Sequence, residues 1–479
     1  MSASTGNILP PTFPALSSGA LFNERFTAPI TSKSDYVSFG HLFQRGQLAT
    51  GQSLASAAPT QIDALTRYSD GSMCLAQVTT QIPAQTAASV FFNEFSPVTA
   101  TATPIDLATA IGSHTLTVDI TPTSGAANQR LTAPISVDLM AALKATTSPV
   151  LTRSGPLVTT AYVNVDRIDG ATGIMRAYAW VSFYADGSMG ARVVVAADIT
   201  DIEIAPSDYP PRNSDVCAYS ATITADGVAS TYSDIVQWFS GKWDALVGYQ
   251  PVIAAYGNPV DLLAADCTRP YNLALGVLPA TVADYQNVPA YAPMQDTIVT
   301  EYMPTVGGRN DIGEDFLADV VALMTGDAGA ISAMLGAARV SGSIPWNYYN
   351  PATGAYWSPY DATPNNLPLW TDPVDASGNC IPINAASSPW MTDPAHMPDL
   401  TYLPLLMTGD PYYADLLAAQ MSFSLVGEWP YQRGKTLDIV VNGGQVRGDA
   451  WQFRTLLYAA YVLEILSKDG VYKNFIRLI

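Results

Sequence analysis

The residues best suited to chemistry lie in the last third of the chain. "QVRGDAWQFR" spaces Arg447, Trp451 and Arg454 at i, i+4 and i+7, which sets them on one face of a helix. Two cations on one face can hold a carboxylate in a bidentate fork. A β-elimination at a uronate needs that neutralisation to acidify the proton beside the carboxylate, together with a base. Tyr348, Tyr349 and His396 are the base candidates, and an imidazole in "DPAHMPD" suits proton transfer near neutral pH. The competing reading is structural: a lone histidine is more often a packing residue, and with 41 Asp plus Glu against 22 Lys plus Arg both arginines have acids to pair with. Arg309 and Asp311 in "GGRND" are either a shared site or an ion pair of the fold.

Beside these lies "SIPWNYYNPATGAYWSPYDATPNNLPLW", with Trp346, Tyr348, Tyr349, Tyr356, Trp357, Tyr360 and Trp370. The C–H faces of sugar rings stack on aromatic rings, and sugar hydroxyls pair with Asp, Asn and Arg. A long aromatic, Asn- and Pro-rich loop therefore suits a glycan groove. The same rings would equally serve to pack the loop onto its neighbours. The expected catalytic set is His396, Tyr348, Tyr349, Arg447 and Arg309. The expected substrate-binding set is Trp346, Asn347, Asp311, Tyr360, Trp451 and Arg454.

Other chemistries find little footing. A net charge of −19 argues against a nucleic-acid groove, which needs clustered cations. Three histidines, His41, His114 and His396, match no zinc spacing, and "DPVDASGN" lacks the spacing of a calcium loop. No metal or cofactor is expected. "RGKT" has Trp429 where a phosphate-binding loop requires Gly, and there is no G-x-S-x-G elbow. Cys74, Cys217, Cys267 and Cys380 are far apart and read as reduced, buried thiols. The N-terminus lacks the basic and apolar regions of a secretory signal, and no apolar run approaches the ~20 residues of a membrane helix. The expectation is synthesis in a cytoplasm, no membrane partner, and release by lysis or a non-classical route if the protein acts outside a cell.

The elements that must position these residues are of two kinds. Up to about residue 230 the chain reads as β-structure. Leu116, Val118 and Ile120 alternate in "HTLTVDIT", and "TTAYVNVDRI", "IMRAYAWVSFY" and "ARVVVAADIT" form a three-strand antiparallel meander joined by Gly-containing turns. "YSDGSM" (Tyr68–Met73) and "YADGSM" (Tyr184–Met189) read as the same turn used in two hairpins. The Thr/Ala/Pro-rich stretch Phe95–Ser113 reads as a link, and the mixed aromatic stretch from Ser233 as a bridge. After Asp311 the period becomes helical, ending in a long helix over Arg447–Lys468. "LMTGD" occurs at Leu323–Asp327 and again at Leu406–Asp410. Each copy lies between apolar helical runs, so Gly326 and Gly409 are expected to end a helix and Asp327 and Asp410 to cap the next. "ILSKDGVYKNF" is a degenerate third copy. Pro404 requires the helix before the second copy to start late or kink. The expected fold is multidomain β plus α. It comprises an N-terminal β-barrel-like domain (1–100), an antiparallel β-sandwich (101–232), a bridging segment (233–310) and an αα-hairpin domain forming a partial toroid (311–479).

The order "YSDGSMCLAQ", "KWDAL", "GGRNDIG", "LMTGD", "SIPWNYYN", "DPAHMPDLTYLPLLMTGD", "NGGQVRGDAWQFR" resembles the rhamnogalacturonan exolyase-like proteins, from about residue 45 to the end. That resemblance implies a RIFT-type barrel, a β-sandwich and a helical domain, with polysaccharide as partner and other virion subunits as further partners in a prophage relative. The chain departs from the family in two ways. Asn347 stands where relatives carry a histidine, and the helical part supplies about half of a six-hairpin ring. The expected function is binding or cleavage of an acidic surface polysaccharide by a virion-associated protein. The alternative is a structural virion or assembly protein that keeps the fold without catalysis.

Overall fold

A computed structural model describes residues 6–466, apart from 101, 125, 127–128, 170–174, 199–215, 266, 306–307, 351–352, 357–387 and 427–445. It is a mixed β and α protein whose sheets are antiparallel. Tyr360, Cys380, the "DPVDASGN" stretch and the third hairpin turn expected after Leu466 lie outside the described residues.

The N-terminal strands are β1 (Phe22–Ala28), β2 (Asp35–Leu42), β3 (Gln52–Ala55), β4 (Thr60–Ala64), β5 (Leu75–Ile82) and β6 (Ser89–Thr99). They form two sheets, β2-β5-β4 and a second in which β1 pairs with β6 and with the later β16 (Ala254–Tyr256). Phe22, Phe26, Phe39, Phe43 and Phe95 fill the core between them. The expected link at Phe95–Ser113 begins too early: β6 runs on to Thr99 because Phe95 is a fully buried core residue.

The next strands are β7 (Leu116–Pro122), β8 (Ile135–Asp138), β9 (Val150–Ser154), β10 (Val158–Val165), β11 (Met175–Tyr184), β12 (Met189–Ala197), β13 (Val216–Ala225), β14 (Val228–Trp238) and β15 (Gly241–Gly248). They make a four-stranded sheet, β14-β13-β7-β8, and a five-stranded sheet, β15-β12-β11-β10-β9. The two sheets meet through Trp243, whose indole N–H donates to the Tyr219 hydroxyl at 2.7 Å, and Gln237, whose amide donates to the Val195 carbonyl at 3.1 Å. The expected meander is present as β10–β12. The twin turns are alike: Asp70 and Asp186 each accept from the backbone N–H and hydroxyl of a serine two residues on. The expected domain limit at 232 falls inside β14, and the segment read as a bridge contributes β14 and β15. Its alternation Lys242/Asp244/Leu246 against Trp243/Ala245/Val247 marks a strand with two differently used faces.

Among the described residues four short helices, α1 (Leu107–Ile111), α2 (Leu139–Ala145), α3 (Pro259–Ala264) and α4 (Pro279–Ala283), precede a further five. These five are α5 (Leu317–Thr325), α6 (Ala328–Ser343), α7 (Tyr402–Thr408), α8 (Pro411–Val426) and α9 (Val446–Leu466). Both LMTGD copies are helix–helix turns. Gly326 and Gly409 are left-handed, with φ of 60° and 63°. Asp327 accepts from the Ala330 N–H at 3.0 Å and Asp410 from the Tyr412 N–H at 2.9 Å, capping α6 and α8. Helix α7 begins at Tyr402, so Pro404 sits in its first turn, where a missing N–H costs little.

The second turn is pressed onto the N-terminal strands. The Gln77 amide donates to the Thr408 carbonyl at 3.1 Å, and a side chain at Gly40 would overlap the Leu406 carbonyl and come within 2.8 Å of Gly409 N. Gly40→Ala is therefore expected to lower unfolding free energy by about 1–3 kcal/mol, measured by urea denaturation. An unchanged midpoint would mean that α7 does not rest on β2.

Candidate functional site

The five-stranded sheet has one apolar and one polar face, and both are buried. In β11 the series Ala177, Ala179, Val181, Phe183 joins the large apolar core, while Arg176, Tyr178, Trp180, Ser182 and Tyr184 share the other face. Register then aligns neighbours on that second face: Arg153 with Thr160 and Ser182, Tyr162 with Trp180 and Arg192, Tyr178 with Val194 and Asp244, and Arg176 with Ala196 and Lys242. Four cations thus rise from one sheet face, and α6 and α8 bring Arg339, Asp410 and Asp415 down onto it.

At one end Lys242, fully buried, donates to Asp415 at 2.7 Å and to the Tyr356 hydroxyl of a short hairpin, β17 (Tyr349–Asn350) and β18 (Ala355–Tyr356). Tyr178 also donates to Asp415, at 2.7 Å, and Arg176 is paired with Asp198. Burial pulls Lys242 below its ordinary pKa, against the opposing charge of Asp415. In the middle Arg192 holds Asp244 and reaches Asp410 at 2.6 Å, while Arg339 binds Asp244 at 2.9 Å. At the other end Arg153 donates to Thr160 (2.7 Å), Ser38 (3.0 Å), Ser182 (2.7 Å) and Thr79 (3.5 Å), all hydroxyls.

A cavity of about 330 Å³ opens between these last two groups, where N-terminal strands, five-stranded sheet and helices meet. Arg153, Arg192 and Arg339 line it, with Asp410 the one acid among the described lining residues. Trp180, Tyr184, Tyr249 and Tyr413 supply aromatic wall. Tyr249 is fixed by its hydroxyl, which donates to Asp35 and accepts from the Tyr36 N–H at 2.9 Å.

The residues singled out from sequence gather elsewhere. His396 is 5% exposed; its ring nitrogens meet Asp393 and the Arg447 guanidinium, and its carbonyl accepts from Arg309 at 3.1 Å. Arg309 binds Asp311 at 2.9 Å, and Asp311 also accepts from the Thr300 N–H at 2.8 Å. His396, Arg309, Asp311 and Arg447 are therefore one bonded network, with the ion-pair reading of Arg309 and Asp311 realised. Arg454 is buried, donates to the Gly313 and Met397 carbonyls, and lies over the Trp451 ring at 5.3 Å. Burial lowers its pKa from the ordinary guanidinium value.

The aromatic stretch differs most from expectation. Trp346 is 0% exposed, donates to the Ser341 carbonyl at 2.8 Å and packs on Phe423 with Tyr348, so it has no face for a sugar. The Asn347 amide nitrogen contacts the Ser240, Gly342 and Ile344 carbonyls at 3.0, 2.9 and 2.9 Å, fastening this turn to the end of β14. Tyr349 lies under the Arg176 guanidinium, and burial holds its phenol up at about 12. The physical reason is shared: a strand–helix junction closing a core takes the nearest large apolar groups. Among the described residues no cluster of His, Cys, Asp and Glu is suited to a metal ion, and no helix is long and apolar enough to cross a membrane. Cys74, Cys217 and Cys267 are buried and form no disulfide among the described residues.

Arg153, Arg192 and Arg339, with Asp410 as a partner to a cation, were not anticipated as a group. Alternation in "MRAYAWVSFY" showed that one face is polar, but register, which sets Arg153 beside Ser182, is not written in the strand itself. No protein-family model and no curated protein sequence matches the chain.

Proposed function

We propose that this is a carbohydrate-directed protein that binds an acidic polysaccharide, with a sugar ring of the ligand in the three-way cavity. In this reading the N-terminal strands are a RIFT-type barrel, the paired sheets a β-sandwich and the helices a partial αα-toroid. One observation supports it above others. A chain of net charge −19 lines one concavity with three arginines and one carboxylate, beside four aromatic rings. Arginine forks pair with carboxylates and aromatic faces with sugar C–H groups.

A second reading, a non-catalytic structural virion or assembly protein, draws support from the burial of Trp346, Asn347, Tyr348 and His396 in bonded positions. The two are separated by presenting the full chain with immobilised polygalacturonate and dextran while following absorbance of unsaturated uronates. The expected result is salt-sensitive retention on polygalacturonate, none on dextran, and flat absorbance. Retention on neither removes the carbohydrate reading, and equal retention on both removes its preference for an acidic polymer; rising absorbance restores a lyase.

A further inference from the structure

We infer that Arg153 and the hydroxyls around it form the seat of a single carboxylate group of the ligand. The inference deepens the carbohydrate reading and rests on it for the sugar, though not for the anion.

A guanidinium has five N–H donors. In Arg153, which is 8% exposed, Nε gives its hydrogen to Thr160, Nη1 serves Ser38 and Thr79, and Nη2 serves Ser182. One Nη2 hydrogen remains. All four acceptors are neutral. A buried cation without an anion is costly, and among the described residues no carboxylate lies within ion-pair distance of Arg153. Asp63 is near enough to feel its charge, yet Asp63 gives its oxygens to the Ser154 N–H at 2.8 Å and the Gln61 amide at 2.7 Å. Arg192 and Arg339, by contrast, already hold Asp244 and Asp410.

The hydroxyls complete the count. Ser38 bonds Thr79 at 2.9 Å and Thr160 bonds Ser182 at 2.9 Å. Each pair holds two hydroxyl hydrogens and its internal bond uses one, so one hydrogen per pair has no protein acceptor among the described residues. Ser38, Thr160 and Ser182 line the cavity with Arg153. Ser38, Thr160 and Ser182 can thus each turn a hydroxyl hydrogen to the cavity, one from each pair, beside the remaining guanidinium N–H, a donor set that matches the two oxygens of a planar carboxylate. With Asp63 within reach of its charge, Arg153 leaves at most one positive charge uncompensated at this end, which suits a monoanion over a phosphate or sulfate dianion.

The test is calorimetry on the full chain with glucuronate, its methyl ester, benzoate and sulfate, repeated in Arg153→Lys and Ser182→Ala. Thermal melts check that both variants fold. Glucuronate should bind at least about tenfold more tightly than the ester, Arg153→Lys should erase that ratio while keeping ester affinity, and Ser182→Ala should narrow it. Benzoate binding without sugar binding upholds the seat and sinks the carbohydrate reading. Equal binding of acid and ester upholds the carbohydrate reading and overturns the seat. Tighter sulfate than carboxylate, a ratio that survives Arg153→Lys, or no binding of any probe also overturns it.

Discussion

Asp244→Asn should destabilise the protein by about 3–5 kcal/mol, the range for breaking a buried ion pair from one side. Asp244 is 1% exposed and stands between two guanidiniums, with Arg192 on one oxygen and Arg339 on both. Its carbonyl accepts from Arg339 as well, at 3.1 Å. The amide would remove the negative charge and turn two donors toward a cation, leaving Arg192 with Asp410 alone and Arg339 without a carboxylate. Since Arg339 belongs to α6 and Asp410 caps α8, the loss should appear as loosened helices as well as a lower midpoint. Chemical denaturation gives the free energy, and amide exchange in α6 and α8 gives the location. A loss below about 1 kcal/mol would show that the helices are held mainly by apolar packing.

Stability should rise as the solution is acidified from pH 7 to pH 5. Burial pushes Asp399 and Asp261 up to about 6, and pushes Glu24 and Asp319 well above the usual carboxylate range. Groups raised on folding contribute stability that is complete below their unfolded value, near 3.9 for Asp, and is lost as pH rises through the folded value. From pH 7 to pH 5 Asp399 and Asp261 should each return about 1 kcal/mol, and Glu24 and Asp319 add to that. His41 works the other way. It is buried against Phe22 at 3.5 Å, and desolvation lowers it to about 3. Its contribution is present above about 6.5 and is lost progressively down to about 3, costing about 2 kcal/mol by pH 5. Together the four carboxyls outweigh it between pH 7 and pH 5. Urea unfolding across pH 5–8 should show the rise, and His41→Phe should steepen it. A maximum at pH 7 or above would contradict the assignment.

Local chemistry was legible where a single residue decides the backbone. Gly326 and Gly409 ended helices, Asp327 and Asp410 capped the next, Pro404 delayed α7, and the two Asp-Gly turns matched bond for bond. What depended on meeting a distant segment was not legible. Trp346 and Tyr348 look like a stacking platform until Phe423 covers them. His396, Arg309, Asp311 and Arg447 do lie together, and their bonds close on one another. The cavity draws Arg153, Arg192, Arg339 and Asp410 from separate strands and helices, and strand register and helix docking alone bring them together.

The twin LMTGD turns show how a repeated piece of architecture can acquire a second duty. Capping a helix needs one carboxylate oxygen. In the first copy the Asp327 cap is bonded to no cation among the described residues. In the second, one oxygen of Asp410 caps α8 and the other binds Arg192 beside the cavity. The second oxygen is one that the cap does not require, and the sheet beneath puts it to use. The two copies differ in this duty without differing in a single residue of the motif.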